Sequence, residues 1–139
     1  MDTTTKTILL DSRRWFQRLD ITSHVEKLIR ESGIQNGQIS VFPQAENTGI
    51  EVYKSNPLII GFSDILHFLQ SLVTRGTYSH GTVIEHKSCY LHSDIVGRSE
   101  NIPIIDGELD LAKGKSIFLL EFNGPRNGIK IMCILSEEF

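Results

Sequence analysis

The chain has 139 residues, 40% of them hydrophobic and 22% charged, with a net charge of −3 and five histidines. This length fits one domain and buries roughly 68–70% of the surface that the unfolded chain exposes, so folding needs neither a disulfide nor a metal. The acidic balance argues against nucleic acid, whose phosphates are met by a basic face. No apolar run approaches the roughly 18 residues of a membrane span.

The opening "MDTTTKTILLDSRR" carries an early acid and no apolar core, and is not read as a signal peptide. Cys89 and Cys133 lie far apart without a CxxC, which points to free thiols in a reducing cytoplasm.

The β-branched run Thr3–Leu10 predicts a first strand. "RWFQRLDI", Arg14–Ile21, alternates and predicts a second. A helix follows. Asp20 or Thr22 serves as N-cap, Ile21, Val25, Leu28 and Ile29 recur at helical spacing, and Gly33 is the stop. Glu26 and Arg30 have the order of an exposed ion pair.

Asn36–Gly37 signals a turn, with strands at "QISVF" and "GIEVY" on either side of a polar turn. Pro57–Val73 reads as a long apolar helix, "RGTYSHG" as a loop, and Glu85–Gly97 as a shorter helix. "NIPIIDGELDL" predicts a hairpin with a type I′ turn at Asp106–Gly107. "KSIFLLEF" and "IKIMCIL" are strands joined by the turn "NGPRNG". The order predicts an α+β fold of one domain. Antiparallel sheets form a sandwich or a barrel-like closure, about three helices pack on them, and a second sheet or subunit contacts cover the edges.

Three places offer chemistry. His80 lies in a loop and His92 in the short helix, with Glu85 and Asp94 as oxygen donors; together they are a weak signature for a divalent metal ion. His24 reads as a solvated surface residue, and His67, three after Asp64, as a partly buried structural one. In "NGPRNG", Gly124, Pro125 and Gly128 shape a tight turn that holds Arg126 outward, where it suits a phosphate or carboxylate. In "VFPQAENTGIEV", Glu46 or Glu51 supplies a general base if one of them is buried. No GxSxG, P-loop or dinucleotide fingerprint occurs.

From Asp20 onward the chain resembles the YjbQ-like family, small proteins described as secondary thiamine-phosphate synthases. The likeness runs through "DITSHVEKLIRESGIQNGQISVF", "TGIEV", Pro57, Asp64, "YSH", "LHSDIVGRS", "IPIIDGELDL" and "LLEFNGPR". It implies homotrimers with sites near subunit boundaries. It carries the family's later histidine pair onto His80 and His92, an acid onto Asp64, and the terminal turn onto Gly124, Pro125 and Arg126.

It also places the family's first histidine on Ala45, its threonine pair on Glu46 and Asn47, and its glutamate on Lys54. A methyl group neither ligates a metal nor moves a proton. The resemblance therefore implies a retained scaffold around a degenerate site. Such a site binds a small anionic or phosphorylated ligand through Arg126, Gly124, Glu46 and Asn47, with little of the family's transferase chemistry left to His80 and His92.

Overall fold

The computed structural model describes residues 3–55 and 99–138. Their elements are β1 (Thr3–Leu10), β2 (Gln17–Asp20), α1 (Thr22–Ser32), β3 (Asn36–Pro43), β4 (Thr48–Lys54), β5 (Glu100–Ile105), β6 (Glu108–Leu109), β7 (Lys115–Glu121) and β8 (Ile129–Glu137). Every strand pairing is antiparallel. One sheet has the order β1-β8-β3-β5-β6 and the other β2-β7-β4. The expected antiparallel sheets are present. Among the described residues α1 is the one helix; the helices expected at 57–73 and 85–97 lie outside them.

The core fills the space between the two sheets and α1. Val25 and Ile29 of α1 meet Ile39 and Val41 of β3, Ile117 and Leu119 of β7, and Ile131, Cys133 and Leu135 of β8, all buried. Each fully buried aliphatic side chain contributes on the order of 1.5–3 kcal/mol. The N-cap position falls on Ile21, not on the expected Asp20 or Thr22, and carries no side-chain cap. The Thr22 amide donates to Asp20 Oδ1 at 3.0 Å, while the Thr22 hydroxyl accepts from the Ile117 amide at 2.9 Å and ties α1 to β7. Gly33 ends α1 in the left-handed conformation, φ 73°. The ion pair that forms on its exposed side is Lys27–Glu31 at 3.8 Å, in place of Glu26–Arg30.

Three local expectations are corrected. Asn36–Gly37 is not a turn but the start of β3, where Gly37 lies between Ile104 of β5 and Glu137 of β8. Glycine is required there, because a Cβ would sit 2.0 Å from the Ser136 carbonyl oxygen. The second strand is shorter than the alternation suggests. The Arg13 and Arg14 amides both donate to Gln17 Oε1, which curls residues 11–16 away from the sheet. Neither "NGPRNG" nor the turn at 44–47 closes a hairpin, since β7 and β8, and likewise β3 and β4, belong to different sheets. Strands that run into the core from both sheets leave their connections no shorter route. Only the β5–β6 hairpin matches its turn signal, with Asp106 at φ 53° and Gly107 at φ 79° as a type I′ turn demands.

Alternate residues of the larger sheet face away from the core. On its four long strands these are Thr3, Thr5, Thr7 and Leu9 of β1, Lys130, Met132, Ile134 and Ser136 of β8, Asn36, Gln38, Ser40 and Phe42 of β3, and Asn101, Pro103 and Ile105 of β5.

Gly37→Ala is expected to destabilise the fold by about 3 kcal/mol, since backbone must move. Gly33→Ala meets nothing within 4 Å and strains only φ, at about 1 kcal/mol. Urea unfolding of the two variants would rank them; equal midpoints would contradict this placement of β3.

Candidate functional site

Three sheet-to-sheet connections meet at one end of the molecule. Residues 44–47 carry the chain from β3 to β4, residues 122–128 from β7 to β8, and residues 11–16 from β1 to β2. The Phe122 amide donates to the Asn47 carbonyl at 3.0 Å, and the Gln44 amide to the Lys130 carbonyl at 2.8 Å. The Ser12 amide donates to the Arg126 carbonyl at 2.8 Å, and the Gly124 amide to the Trp15 carbonyl at 3.0 Å. Gly124 is needed for that approach, because a Cβ there would lie 2.0 Å from the Arg14 carbonyl oxygen. The Gly124–Pro125 bond is cis.

At the centre stands Glu121, 0% exposed. Its carboxylate accepts four hydrogen bonds: from Ser12 Oγ at 2.9 Å, the Asn123 amide at 2.9 Å, Arg126 Nε at 3.0 Å and Arg126 Nη2 at 2.5 Å. The Ser12 hydroxyl in turn accepts from the Arg126 amide at 2.8 Å. A carboxylate out of water is tolerable only with a cation and further donors around it, and this arrangement supplies both. Arg126 is therefore not held out on a plain turn. One edge of its guanidinium is locked onto Glu121, and its side chain is 26% exposed. Glu121 and Ser12 went unnoticed in the sequence. The signal was the acid closing the apolar run "FLLEF", a residue type that enters a strand core only with partners.

Ala45 is half-buried and packs on the main core, and its carbonyl accepts from the Thr48 hydroxyl at 2.8 Å. Glu46 is exposed. Asn47 is buried, takes φ 59°, and leaves its Oδ1 without a hydrogen-bond partner. Asparagine tolerates that left-handed backbone better than most residues. The fold thus brings Glu46 and Asn47 to the same end of the molecule as Gly124 and Arg126. His80, His92 and Asp64, with His67 and His86, lie outside the described residues. Among the described residues no group of three or more His, Cys, Asp or Glu is placed to hold a metal ion. His24 is exposed on α1, as expected.

Of the two expected glutamates, Glu51 is partly buried and Glu46 is exposed. Glu51 sits on β4 opposite Phe118, with Arg18 Nε 3.3 Å from its Oε1. The Arg18 guanidinium stacks 3.5 Å over the Phe118 ring. Burial pushes the Glu51 carboxyl above its usual range, against the pull of the nearby Arg18. Burial also pushes the Cys133 thiol up to about 11, so it carries no reactive thiolate at neutral pH. A groove of about 530 Å³ between α1 and the β5–β6 hairpin, lined by Glu26, Arg30, Gln35, Asp106 and Glu108 among others, contains none of the expected site residues. No described helix is long and apolar enough to cross a membrane.

The sequence pattern described as "UPF0047 protein YjbQ-like" matches residues 6–137. The chain belongs to the YjbQ/UPF0047 family. It is 31% identical over 128 residues to a UPF0047 protein of Methanothermobacter thermautotrophicus, covering 91% of this chain and 88% of that one. A crystal structure of an uncharacterised YjbQ/UPF0047 protein from Clostridium acetobutylicum is similar at a TM-score of 0.83 and 28% identity, covering 94% of this chain and 99% of that one. A YbjQ-like protein of unknown function from Sulfolobus solfataricus shares the fold at a TM-score of 0.87 and 24% identity, with 99% of each chain covered. The family membership that the sequence motifs implied is thereby shown, and the fold is the family's.

Two measurements check the electrostatics. Glu121→Gln should cost about 3–5 kcal/mol, because it leaves Arg126 half-buried without its anion. Chemical denaturation that finds it neutral would remove Glu121 from its central role. A raised Glu51 pKa means that the folded chain holds this proton more tightly than the unfolded one. The group's stabilising contribution is then full below its ordinary value of 4.5 and is lost as pH rises through the higher folded value. Glu51→Gln should therefore gain stability relative to the parent as pH rises above 4.5. A pH-independent difference would contradict the burial argument.

Proposed function

We propose that this chain is a YjbQ-family protein that binds a small anionic or phosphorylated ligand where the sheet connections meet and has little or no capacity for the family's transferase chemistry. The carrying observation is the lock of Arg126 on buried Glu121. A guanidinium has five donors, and a carboxylate fork uses one edge. The edge left over is oriented in advance, and the side chain reaches the surface. Such preorganisation lowers the ordering cost of capturing an anion. Asn47 of the neighbouring connection lies at the same end of the molecule.

The catalytic half of the proposal rests on Ala45. Its methyl packs into the core, and no imidazole stands at that position to carry a proton. Glu46, beside it, is exposed. A homotrimer belongs to this reading. It is supported by β2 and β4, which flank the smaller sheet as edges among the described residues and which a neighbouring subunit would cover.

Calorimetric titration of inorganic pyrophosphate tests the binding. The parent protein should bind, and Arg126→Ala should weaken affinity about 10- to 100-fold, the range for hydrogen bonds to a charged group. Arg126→Lys should recover only part, since an ammonium lacks the fork. No heat of binding to the parent would end the anion reading. Turnover of a pyrimidine pyrophosphate with a thiazole phosphate at a rate unaffected by Ala45→His would end the reading of a lost activity.

A further inference from the structure

Ser12 is 3% exposed and holds Arg126 at two points of the backbone. Its amide donates to the Arg126 carbonyl, and its hydroxyl accepts from the Arg126 amide, both at 2.8 Å. The same hydroxyl donates to Glu121 Oε2 at 2.9 Å. That direction is fixed, because an ionised carboxylate only accepts. Glu121 then has its roughly four acceptor sites filled: two by Arg126, one by Asn123 and one by Ser12. A carboxylate so occupied has no freedom to turn about its last bond, and the guanidinium resting on it is fixed in turn. Nε–H and one Nη2–H are spent on Glu121, which leaves the two Nη1 hydrogens and the outer Nη2 hydrogen. Gly124 belongs to the same arrangement: a Cβ there would lie 2.7 Å from Ser12 Oγ and crowd the hydroxyl out of its place.

We infer that Ser12 is a positioning residue for anion capture: from the β1–β2 connection it sets which edge of Arg126 the ligand meets. The inference rests on the anion reading proposed above and adds to it the residue that orients the donor. Ser12 is buried and acts through Arg126. It anchors the backbone from which that side chain starts and the carboxylate on which its head rests. The edge left free, Nη1–H beside Nη2–H, is a parallel pair that matches two oxygens on one centre, as in a phosphate or carboxylate group. Removing the Ser12 hydroxyl opens one Glu121 acceptor site and leaves the Arg126 amide unmet. The Glu121–Arg126 pair persists but turns as a unit, and its outer edge loses a fixed direction. An arriving anion must then order the side chain as it binds, which lowers affinity.

Heteronuclear NMR of the full chain with Ser12→Ala tests it. The Arg126 Nε–H should exchange slowly with solvent in the parent and at least about tenfold faster in the variant, while the backbone amides of β7 keep their protection. Calorimetric titration should show pyrophosphate binding weakened about 3- to 10-fold, the loss that follows from one or two hydrogen bonds. Ser12→Cys, close in shape but a weak donor and acceptor, reads the same contact should Ser12→Ala fail to fold. Unchanged Nε–H exchange overturns the inference. Faster exchange shared by the β7 amides also overturns it, since that marks a plain loss of stability. So does faster Nε–H exchange with unchanged pyrophosphate affinity. A parent that binds no pyrophosphate ends the anion reading and this role with it, whereas a binding parent matched by its Ser12 variants overturns the role alone.

Discussion

The buried Glu121 carboxylate is the constraint on which one end of this molecule depends. It sits at the last residue of β7, where the chain leaves one sheet for the other. Four donors from two separate connections, residues 11–16 and 122–128, converge on it. Each donor alone contributes modestly, but an unpaired carboxylate at that depth would be untenable. The segments are therefore obliged to assemble together. The close passage of Gly124 under the Arg14 carbonyl follows from the same demand.

That arrangement explains why the site reads differently in the folded chain than along its length. Arg126 in a Gly/Pro-rich turn has the composition of a solvated loop cation, and turn composition is blind to a partner that arrives through tertiary packing. Ser12, which bonds both Glu121 and the Arg126 amide, stands 114 residues from Arg126 along the chain. By contrast β1, α1 with its Gly33 stop, and the Asp106–Gly107 hairpin were legible, because their determinants are local: β-branched runs, helical periodicity and positive φ. Asn36–Gly37 shows the limit. The pair is a turn signal by local preference, yet the close approach of β8 claims the glycine for a strand centre.

The three connections between the sheets also decide what the candidate site is made from. Ala45 and Asn47 come from one crossing, and Gly124 and Arg126 from another; neighbouring backbone bonds fix them side by side. The backbone that shapes such a place survives substitution of its side chains, because its hydrogen bonds are made by amides and carbonyls. The Arg18–Glu51 pair stacked on Phe118 lies on the opposite side of the smaller sheet from the main core, a second concentration of charge in a poorly hydrated setting.

Strand β8 pairs with both β1 and β3, and it follows every other described strand along the chain. During synthesis, β1 and β3 therefore emerge from the ribosome long before the strand that will lie between them. Until then β1 has no mate within the larger sheet, and β3 has only β5 on its other side. The nascent chain must stay uncommitted, or be sheltered by other proteins, over most of its translation. The sheet closes only after the segment beginning at Ile129 has left the exit tunnel.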